Sequence, residues 1–438
     1  MLQNLNLLQA YAPYLLPLPA AWIAYAVLRW RMEASGRATK RASAEAGLDQ
    51  PPSLHPVIDP KLCIGCGACI HVCPEGEVLG LINGKAELVE ASSCIGHGAC
   101  KTACPAGAIS LVFGTEQRGF DIPLLTPDFE TNVKGIYIAG ELGGMGLIAN
   151  AIEQGRQAIT SISRLDGLRR KDRYDVVIVG AGPAGFAASL AAKKLGLKAV
   201  TLEQDTFGGA VAHYPRGKIV MTRPATLPGY GKVRFRRVGK ERLLALWKSV
   251  AKRTGVQIRY DERIEGIRRS GDGFVTVSRA QRYDSRAVLL AIGRRGSPRK
   301  LGVPGEDMDN VAYRLTDPDG YRGRKVLVVG GGDSALEAAA ALAGQPETRV
   351  TLSYRGSQFS RAKADNRAAV EILEKRGALR VLLGSNVQSI ESGKVFIAWA
   401  GKTYRLDNDA VIICAGGQLP TDLLTATGIE VETKYGAA

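Results

Sequence analysis

The chain has 438 residues, of which 45% are hydrophobic, so it is long enough for about two to four domains with apolar cores, and its composition excludes a largely disordered protein. The formal net charge is +16, yet no basic helix and no aromatic-interleaved basic stretch supports a nucleic-acid partner. We therefore expect this charge to balance bound anionic groups in part, and otherwise to form a surface for an acidic partner or a membrane.

A mostly apolar stretch without charges occupies residues 7–28. Its length, and the cations that follow it, are typical of one membrane span with the cationic side in the cytoplasm, whereas a signal peptide would need a basic start and a small-residue cleavage site. Pro13, Pro17 and Pro19 interrupt the stretch, so a hydrophobic hairpin or a helix packed on a partner subunit is the alternative. We predict a membrane anchor over residues 1–31, a polar linker over 32–56, and the rest of the chain at the cytoplasmic face of the cell membrane. The cations are Arg29, Arg31, Arg37, Lys40 and Arg41.

Two similar cysteine-rich runs follow, CIGCGACIHVCPEGEV from Cys63 and CIGHGACKTACPAGAI from Cys94. The first has the C-x₂-C-x₂-C-x₃-C-P spacing of bacterial iron–sulfur ferredoxins, which it resembles. Zinc is the alternative, but a zinc site rarely needs three cysteines at three-residue steps plus a fourth, repeated in a second copy. We predict an α+β ferredoxin domain over residues 57–112 with two [4Fe–4S] clusters, in a reducing compartment.

The ferredoxin resemblance also implies which residues hold each cluster, because the fourth cysteine of each run crosses to the other cluster in that family. His97 stands where the second run would have a cysteine. As a ligand, its neutral imidazole would raise the reduction potential of that cluster, as histidines do in Rieske centres. The alternative is a spectator His97 beside a three-iron cluster. The implied ligand sets are Cys63, Cys66, Cys69 and Cys104 for one cluster, and Cys73, Cys94, Cys100 and His97 for the other.

The segment over residues 113–167 contains TNVKGIYIAGE. It resembles the end of the flavin domain in thioredoxin-reductase-like flavoproteins. The resemblance implies that a strand over residues 135–139 delivers Gly140 and Glu141 to the flavin ribityl chain, with Glu141 replacing the usual aspartate. An amphipathic helix from Ile148 to Ile162 would pack behind it, with its N-terminus at the flavin pyrimidine. The alternative is an unrelated βα unit.

A dinucleotide-binding fingerprint begins the next predicted domain, residues 168–312. The apolar strand YDVVIV precedes glycines at G-x-G-x-x-G spacing, and Glu203 ends the following strand, where an acid bonds a ribose hydroxyl. Resemblance to the same family implies that Gly208 and Gly209 turn near the flavin ring. Residues 216–240 carry many cations and no acid, so they form either a docking surface or a solvated loop. The fingerprint glycines are Gly180, Gly182 and Gly185.

A second fingerprint lies in the predicted nicotinamide domain, residues 313–420, with Gly330, Gly332 and Ala335 after the strand KVLVV. No acid follows the next strand, whereas Arg355 and Arg361 are available for a 2′-phosphate, so we predict NADP rather than NAD. Residues 421–438 would return to the flavin domain. They are too few to include the segment that ends that domain in the family, so the flavin domain is predicted to be circularly permuted.

The sequence therefore predicts an α/β flavoprotein with two Rossmann-like dinucleotide-binding domains, an α+β ferredoxin domain and an N-terminal membrane helix. Where thioredoxin reductases carry a redox C-x-x-C, this chain reads YRLTDPDGYRG, over residues 313–323. We predict an NAD(P)H oxidoreductase that passes electrons through FAD and two clusters to or from a protein or membrane electron carrier, with no side chain as acid or base.

Several alternatives stay open at this point. The protein could reduce a low-molecular-weight disulfide, or it could be a non-enzymatic relay subunit of a larger membrane complex. A homodimer is also open, and no nucleic acid is expected. His213 lies close to the glycine turn, where it is either beside the flavin or structural, and Cys414 is expected to be a packed, inert thiol.

Overall fold

The computed structural model describes residues 17–46, 48–51, 54–116, 119–144, 146–214, 219–221, 224–233, 238–294, 297–360, 362–418 and 420–436. They form two compact units. The first contains residues 1–118 together with 435–438, and the second contains residues 119–434.

The first unit is a small α+β domain whose N-terminal helix packs on a β-hairpin. Strands β1 and β4 pair antiparallel, β2 and β3 form the hairpin, and two short helices each follow one of the cysteine-rich loops. The elements are α1 (Pro17–Glu45), β1 (His55–Ile58), α2 (Ala68–His71), β2 (Leu79–Ile82), β3 (Lys85–Leu88), α3 (Ala99–Ala103) and β4 (Ile109–Val112).

Helix α1 corrects the first part of the predicted linker over residues 32–56, since it is continuous to Glu45. A Cβ atom added at Gly36 would lie 2.8 Å from the Leu81 carbonyl oxygen, so helix and hairpin backbones are in close contact. Glu33 accepts a hydrogen bond from the Gly84 backbone N–H at 2.9 Å, and Lys40 pairs with Glu87 at 2.6 Å. The polar residues that suggested a linker therefore bind the hairpin.

The predicted membrane span is only partly within the described residues. Its first part, residues 7–16, lies outside them. Among the helices that the structure describes, none combines the length and apolar character needed to cross a membrane.

The second unit contains a seven-stranded sheet with the order β13-β8-β7-β16-β15-β14, in which β6 also pairs with β16. Strands β13, β8, β7, β16 and β6 are parallel, and the mostly apolar sequences of β6, β7 and β8 suit strands covered on both faces. The elements are β5 (Phe120–Pro123), β6 (Ile136–Ile138), α4 (Ile148–Ile162), β7 (Tyr174–Val179), α5 (Pro183–Lys194), β8 (Ala199–Leu202), β9 (Ile219–Met221), β10 (Ala225–Leu227), β11 (Gly231–Val233), β12 (Val238–Gly239), α6 (Lys240–Thr254), β13 (Ile258–Arg259), β14 (Ile264–Ser270), β15 (Gly273–Ser278), β16 (Arg282–Leu290) and β17 (Ser297–Pro298).

Helices α4 and α5 pack together on one face of this sheet. The apolar stripe of α4 includes Ile159 and Ile162, which are fully buried against β7 residues such as Val176. A Cβ atom at Gly155 of α4 would lie 2.1 Å from the Ala184 carbonyl oxygen of α5, so only glycine allows this crossing. The segment before the fingerprint is thus part of the fingerprint's own domain.

A second, five-stranded parallel sheet has the order β18-β25-β19-β20-β21, and β22, β23 and β24 form an antiparallel sheet. Helices α7 and α8 contribute to the core around β19 and β20. The elements are β18 (Val311–Ala312), β19 (Lys325–Val329), α7 (Asp333–Ala343), β20 (Arg349–Tyr354), α8 (Ala364–Lys375), β21 (Leu379–Leu383), β22 (Asn386–Glu391), β23 (Lys394–Trp399), β24 (Lys402–Asp407), β25 (Ala410–Ile413), β26 (Gly417–Gln418), α9 (Thr421–Ala426) and β27 (Val431–Lys434).

Strands β5 and β27 pair antiparallel, with Phe120 opposite Lys434. The second unit therefore begins and ends side by side in one two-stranded ribbon. Adjacent ends are the geometric requirement for opening a chain at one point and joining it at another, which agrees with the predicted circular permutation.

Candidate cofactor sites

The seven clustered cysteines line two separate cavities in the first unit. The repeat builds each ligand loop in the same way, because Gly65 and Gly67 of the first copy and Gly96 and Gly98 of the second all have left-handed backbone angles. The first cavity is lined by Cys63, Cys66, Cys69 and Cys104, and the second by Cys73, Cys94, Cys100 and His97.

Each cavity gathers four side chains of the kinds that ligate iron–sulfur clusters. Among the described residues, no three His, Cys, Asp or Glu side chains converge as ligands of one metal ion. Burial raises the pKa of the Cys69 and Cys94 thiols to about 11, and it also raises the pKa of Cys73 and Cys100. Because cluster ligands are thiolates, a cationic iron core in the cavity would supply the charge that stabilises them.

His97 lies at the edge of the second cavity, with its Nε2 atom 3.9 Å from the Cys73 Sγ atom. Its Nδ1 atom accepts a hydrogen bond from the Ala99 backbone N–H at 3.1 Å. In the neutral ring this bond puts the proton on Nε2, so ligation of iron through Nε2 would require loss of the Ala99 bond. The structure thus brings His97 to the cavity without aligning it for ligation.

Two glycine segments, the fingerprint and the turn at Gly208 and Gly209, meet at the N-terminus of α5 in the second unit. A Cβ atom at Gly180 would lie 2.6 Å from the Ala291 carbonyl oxygen, and one at Gly185 would lie 1.8 Å from the Gly180 carbonyl oxygen. A Cβ atom at Gly209 would lie 2.9 Å from the Gly182 Cα atom, so the turn at Gly208 and Gly209 lies against the fingerprint. This bare backbone at a helix N-terminus fits a dinucleotide pyrophosphate.

Glu203 lies at the end of β8 and is buried, with 6% of its surface exposed. Its carboxylate accepts hydrogen bonds from the Ala181 N–H at 2.7 Å and the Asp205 N–H at 3.0 Å. Burial raises its pKa, while these hydrogen bonds act in the opposite direction. Each carboxylate oxygen keeps a second lone pair, so the position suits a ribose hydroxyl as well.

The segment before the fingerprint brings Gly140 to the same place. A Cβ atom at Gly140 would lie 3.1 Å from the Ala184 Cβ atom, and the Gly140 N–H donates to Gln154 Oε1 at 2.8 Å. Glu141 follows in a short 3₁₀ turn. The sequence did not single out Gln154, because a polar residue on an amphipathic helix carries no sign of which backbone group it binds.

The second fingerprint forms a similar turn before α7. A Cβ atom at Gly330 would lie 2.4 Å from the Cys414 carbonyl oxygen, Gly332 caps α7, and Ala335 is fully buried. The Tyr354 ring covers Gly331 and stacks on Phe359 at 5.6 Å.

Arg355 follows this tyrosine and is exposed at the carboxyl end of β20. Arg361 lies outside the described residues, as do most of the cations between residues 216 and 240.

His213 is half-buried, and its Nε2 atom lies 3.1 Å from Asp205 Oδ2. Burial and the charges of Arg314 and Lys240 lower its pKa. Cys414 is partly buried against the core of the five-stranded sheet, as expected of a packed thiol.

Comparison with known proteins gives two family matches. Residues 177–437 match the family described as pyridine nucleotide-disulphide oxidoreductase, and residues 55–105 match the 4Fe-4S dicluster domain. The first match begins within β7 and so leaves out β6 and α4, which precede the fingerprint here.

Similar proteins include ferredoxin–NADP reductases. One from Thermus thermophilus is 33% identical over 259 residues, which cover 56% of this chain and 73% of the relative. One from Ignicoccus hospitalis is 31% identical over 214 residues, which cover 48% of this chain and only 64% of the relative.

Disulfide reductases are similar as well. Bacilliredoxin reductase Bdr of Bacillus subtilis is 26% identical over 267 residues, which cover 59% of this chain and 82% of the relative. Among solved structures, a bacillithiol disulfide reductase Bdr from Bacillus cereus has a TM-score of 0.52 and 26% identity, and the match covers 59% of this chain and 82% of that one.

Proposed function

Since the chain belongs to the pyridine nucleotide-disulphide oxidoreductase family and carries a 4Fe-4S dicluster domain, we propose that it passes electrons between NADPH and a redox partner through FAD and two [4Fe–4S] clusters. The observation that carries the proposal is the pair of cavities, each lined by four of the residues implied as ligands. These cavities lie in the same chain as an FAD-dependent NAD(P)H oxidoreductase unit.

The residues of the second unit bind and orient the two nucleotides. The glycine turns at Gly180 and Gly330 would bring backbone N–H groups to the phosphates, and Glu203 would accept a hydrogen bond from the ribose of FAD. FAD, when bound, converts a two-electron hydride into single-electron steps. No side chain is needed as a general acid or base.

The ferredoxin–NADP reductases among the similar proteins support electron exchange between NADPH and an iron–sulfur carrier. A reductase of that kind exchanges electrons with a separate iron–sulfur carrier, as its name states. In this chain the dicluster domain is covalently attached, so it would take the place of that carrier and hand electrons on to a further partner.

A preference for NADPH is part of the proposal. Strand β20 ends at Tyr354 and is followed by Arg355 rather than by an acid, and the Arg355 side chain is exposed there. A guanidinium suits a 2′-phosphate through paired hydrogen bonds.

Reduction of a low-molecular-weight disulfide is the second candidate, because the chain is also similar to the Bdr proteins. The second unit contains one cysteine, Cys414, and its backbone packs against Gly330. That position offers no dithiol, which favours the dicluster domain as the electron acceptor.

We also propose that the N-terminal end of α1 binds a membrane. Its aromatic and aliphatic side chains are exposed, with 70% of Trp22, 60% of Leu28 and 70% of Trp30 accessible. The uncharged sequence of residues 7–16 precedes them. Tryptophans of this kind are typical of the membrane–water interface.

The test is an anaerobic titration of the purified protein with NADPH and with NADH, followed by visible absorption and EPR. We expect NADPH to bleach the flavin and then to give reduced-cluster signals, with iron and sulfide for two clusters. Disulfide turnover that survives removal of both clusters would support the Bdr-like activity instead. Absence of reduction by either nucleotide would support a relay subunit.

A further inference from the structure

Two cations in the first unit hold the loop that carries the first-cavity ligands. Arg29 of α1 donates from Nη1 to the Gly65 carbonyl oxygen at 3.2 Å and from Nη2 to the Gly84 carbonyl oxygen at 3.5 Å. Lys85 donates from Nζ to the Cys63 carbonyl oxygen at 2.6 Å. The loop from Cys63 to Cys66 therefore accepts two charge-assisted hydrogen bonds.

Burial and further contacts hold both cationic side chains in place. Arg29 and Lys85 are both partly buried, and Arg29 also donates to the Tyr25 hydroxyl at 3.0 Å, which limits the freedom of its side chain. A Cβ atom at Gly65 would lie 2.9 Å from Arg29 Nη2 and 1.9 Å from the Gly84 carbonyl oxygen. The loop, the hairpin and the guanidinium thus fit only with glycine at that position.

The second copy of the repeat provides an internal comparison. Gly96 and Cys94 correspond to Gly65 and Cys63, yet they pack on an uncharged group. A Cβ atom at Gly96 would lie 2.5 Å from the Leu54 carbonyl oxygen, and Cys94 Sγ donates to the same oxygen at 3.9 Å. The second cavity is also lined by the carboxylate-bearing Glu75. Among the contacts that the structure describes, cationic side chains bond the ligand loop of the first cavity but not that of the second.

We propose that Arg29 and Lys85 are positioning residues that raise the reduction potential of the cluster in the first cavity. The proposal rests on the function proposed above. Reduction adds one negative charge to a cluster, and a fixed positive charge nearby stabilises the reduced form. The Arg29 bond also places α1 against the ligand loop. A histidine ligand at the second cluster would raise that potential too, so the two effects together would bring the potentials closer and allow electrons to move either way.

The experiment is an EPR-monitored redox titration of the full chain and its variants. Cys66→Ser identifies the signal of the first cluster, because that ligand lies in the first cavity alone. For Arg29→Ala we expect the oxidised-to-reduced ratio of this cluster to rise about tenfold at a fixed potential, which is a shift of about 59 mV to lower potential for one electron. Lys85→Met should shift it in the same direction.

Two controls separate charge from folding. Arg29→Lys keeps a cation, so its first-cluster potential should differ from the parent's by less than half of the shift seen in Arg29→Ala. Arg41→Ala removes an exposed cation from the same helix, 12 residues and so about 18 Å along the axis from Arg29, and should leave both potentials unchanged.

The proposal is overturned if Arg29→Ala and Lys85→Met, with full iron content, leave the first cluster's potential unchanged or shift both clusters equally. If Arg29→Ala loses iron, Lys85→Met decides the matter by the same criterion. A parent protein without iron and sulfide would instead contradict the proposed function, so the two failures are distinguishable.

Discussion

At the scale of single residues, His97 is the clearest difference between the two cysteine runs. Its Nε2 atom faces Cys73 at 3.9 Å, while its Nδ1 atom is engaged by the Ala99 N–H. Ligation through Nε2 would require loss of the Ala99 hydrogen bond and a proton on Nδ1 instead of Nε2. Binding of iron could supply the energy for this change, since a metal–imidazole bond replaces one hydrogen bond.

We expect His97→Ala to give a three-iron EPR signal or loss of the second cluster, because the cavity would then offer three thiolates. His97→Cys should keep four irons and lower that cluster's potential, since a thiolate adds a negative charge. Cys66→Ser serves as the matched change in the first cavity. An Ala variant with the parent's spectrum and both parent potentials would show that His97 is a spectator.

Arg355 decides nucleotide preference in our proposal. A charged contact to the 2′-phosphate contributes roughly 1.5–3 kcal/mol, so Arg355→Ala should raise the KM for NADPH about tenfold or more while leaving that for NADH nearly unchanged. Steady-state kinetics with both nucleotides check this. Arg376→Ala, an exposed arginine at the end of α8, is the control. Equal losses with both nucleotides, or an NADH preference in the parent, would contradict the assignment.

At the scale of elements, the segment before the fingerprint is held to it by close backbone contact. Gly155 allows α4 to cross α5 at the carbonyl oxygen of Ala184, and β6 pairs with β16 through Ile136 and Val288. The buried isoleucines of α4 complete the core behind β7. The segment that carries Gly140 is therefore attached to the fingerprint by packing rather than by sequence order.

A chain shortened to begin at Asp172 lacks β6 and α4, so it should lose FAD while keeping the nicotinamide-binding sheet. Absorption spectra and flavin content of the purified protein measure this. The control is a chain of residues 119–434, which includes the whole second unit and should purify with FAD. If the shorter chain is yellow with stoichiometric FAD, residues 127–165 do not belong to the flavin site.

At the scale of the whole molecule, helix α1 has two different ends. Its C-terminal half binds the β2–β3 hairpin through Gly36 and Glu33, whereas Trp22 and Ile23 nearer its N-terminus are exposed. One helix thus carries both the attachment to the hairpin and an exposed apolar surface.

Removal of residues 1–24 should move the protein from the membrane pellet to the supernatant after cell lysis, because it deletes most of the uncharged stretch together with Trp22 and Ile23. Tyr25 and Arg29 remain, so both clusters should still be reduced by NADPH. A high-salt wash of the parent is the control, since binding by charge alone would be reversed by salt. Recovery of the intact parent in the supernatant, without any partner, would exclude the anchor.

The local features follow from the amino-acid sequence alone. Glycines with positive φ, such as Gly65 and Gly180, follow from turns that other residues rarely adopt, and ligand spacing is fixed within each cysteine run. Tertiary structure decided what depends on distant contacts. It placed β6 in the flavin sheet, made a helix of the expected linker through bonds such as Glu33 to Gly84, and brought Arg29 to the Gly65 carbonyl. These outcomes depend on contacts between residues far apart in the sequence. Hydrophobic periodicity and local spacing do not predict such contacts.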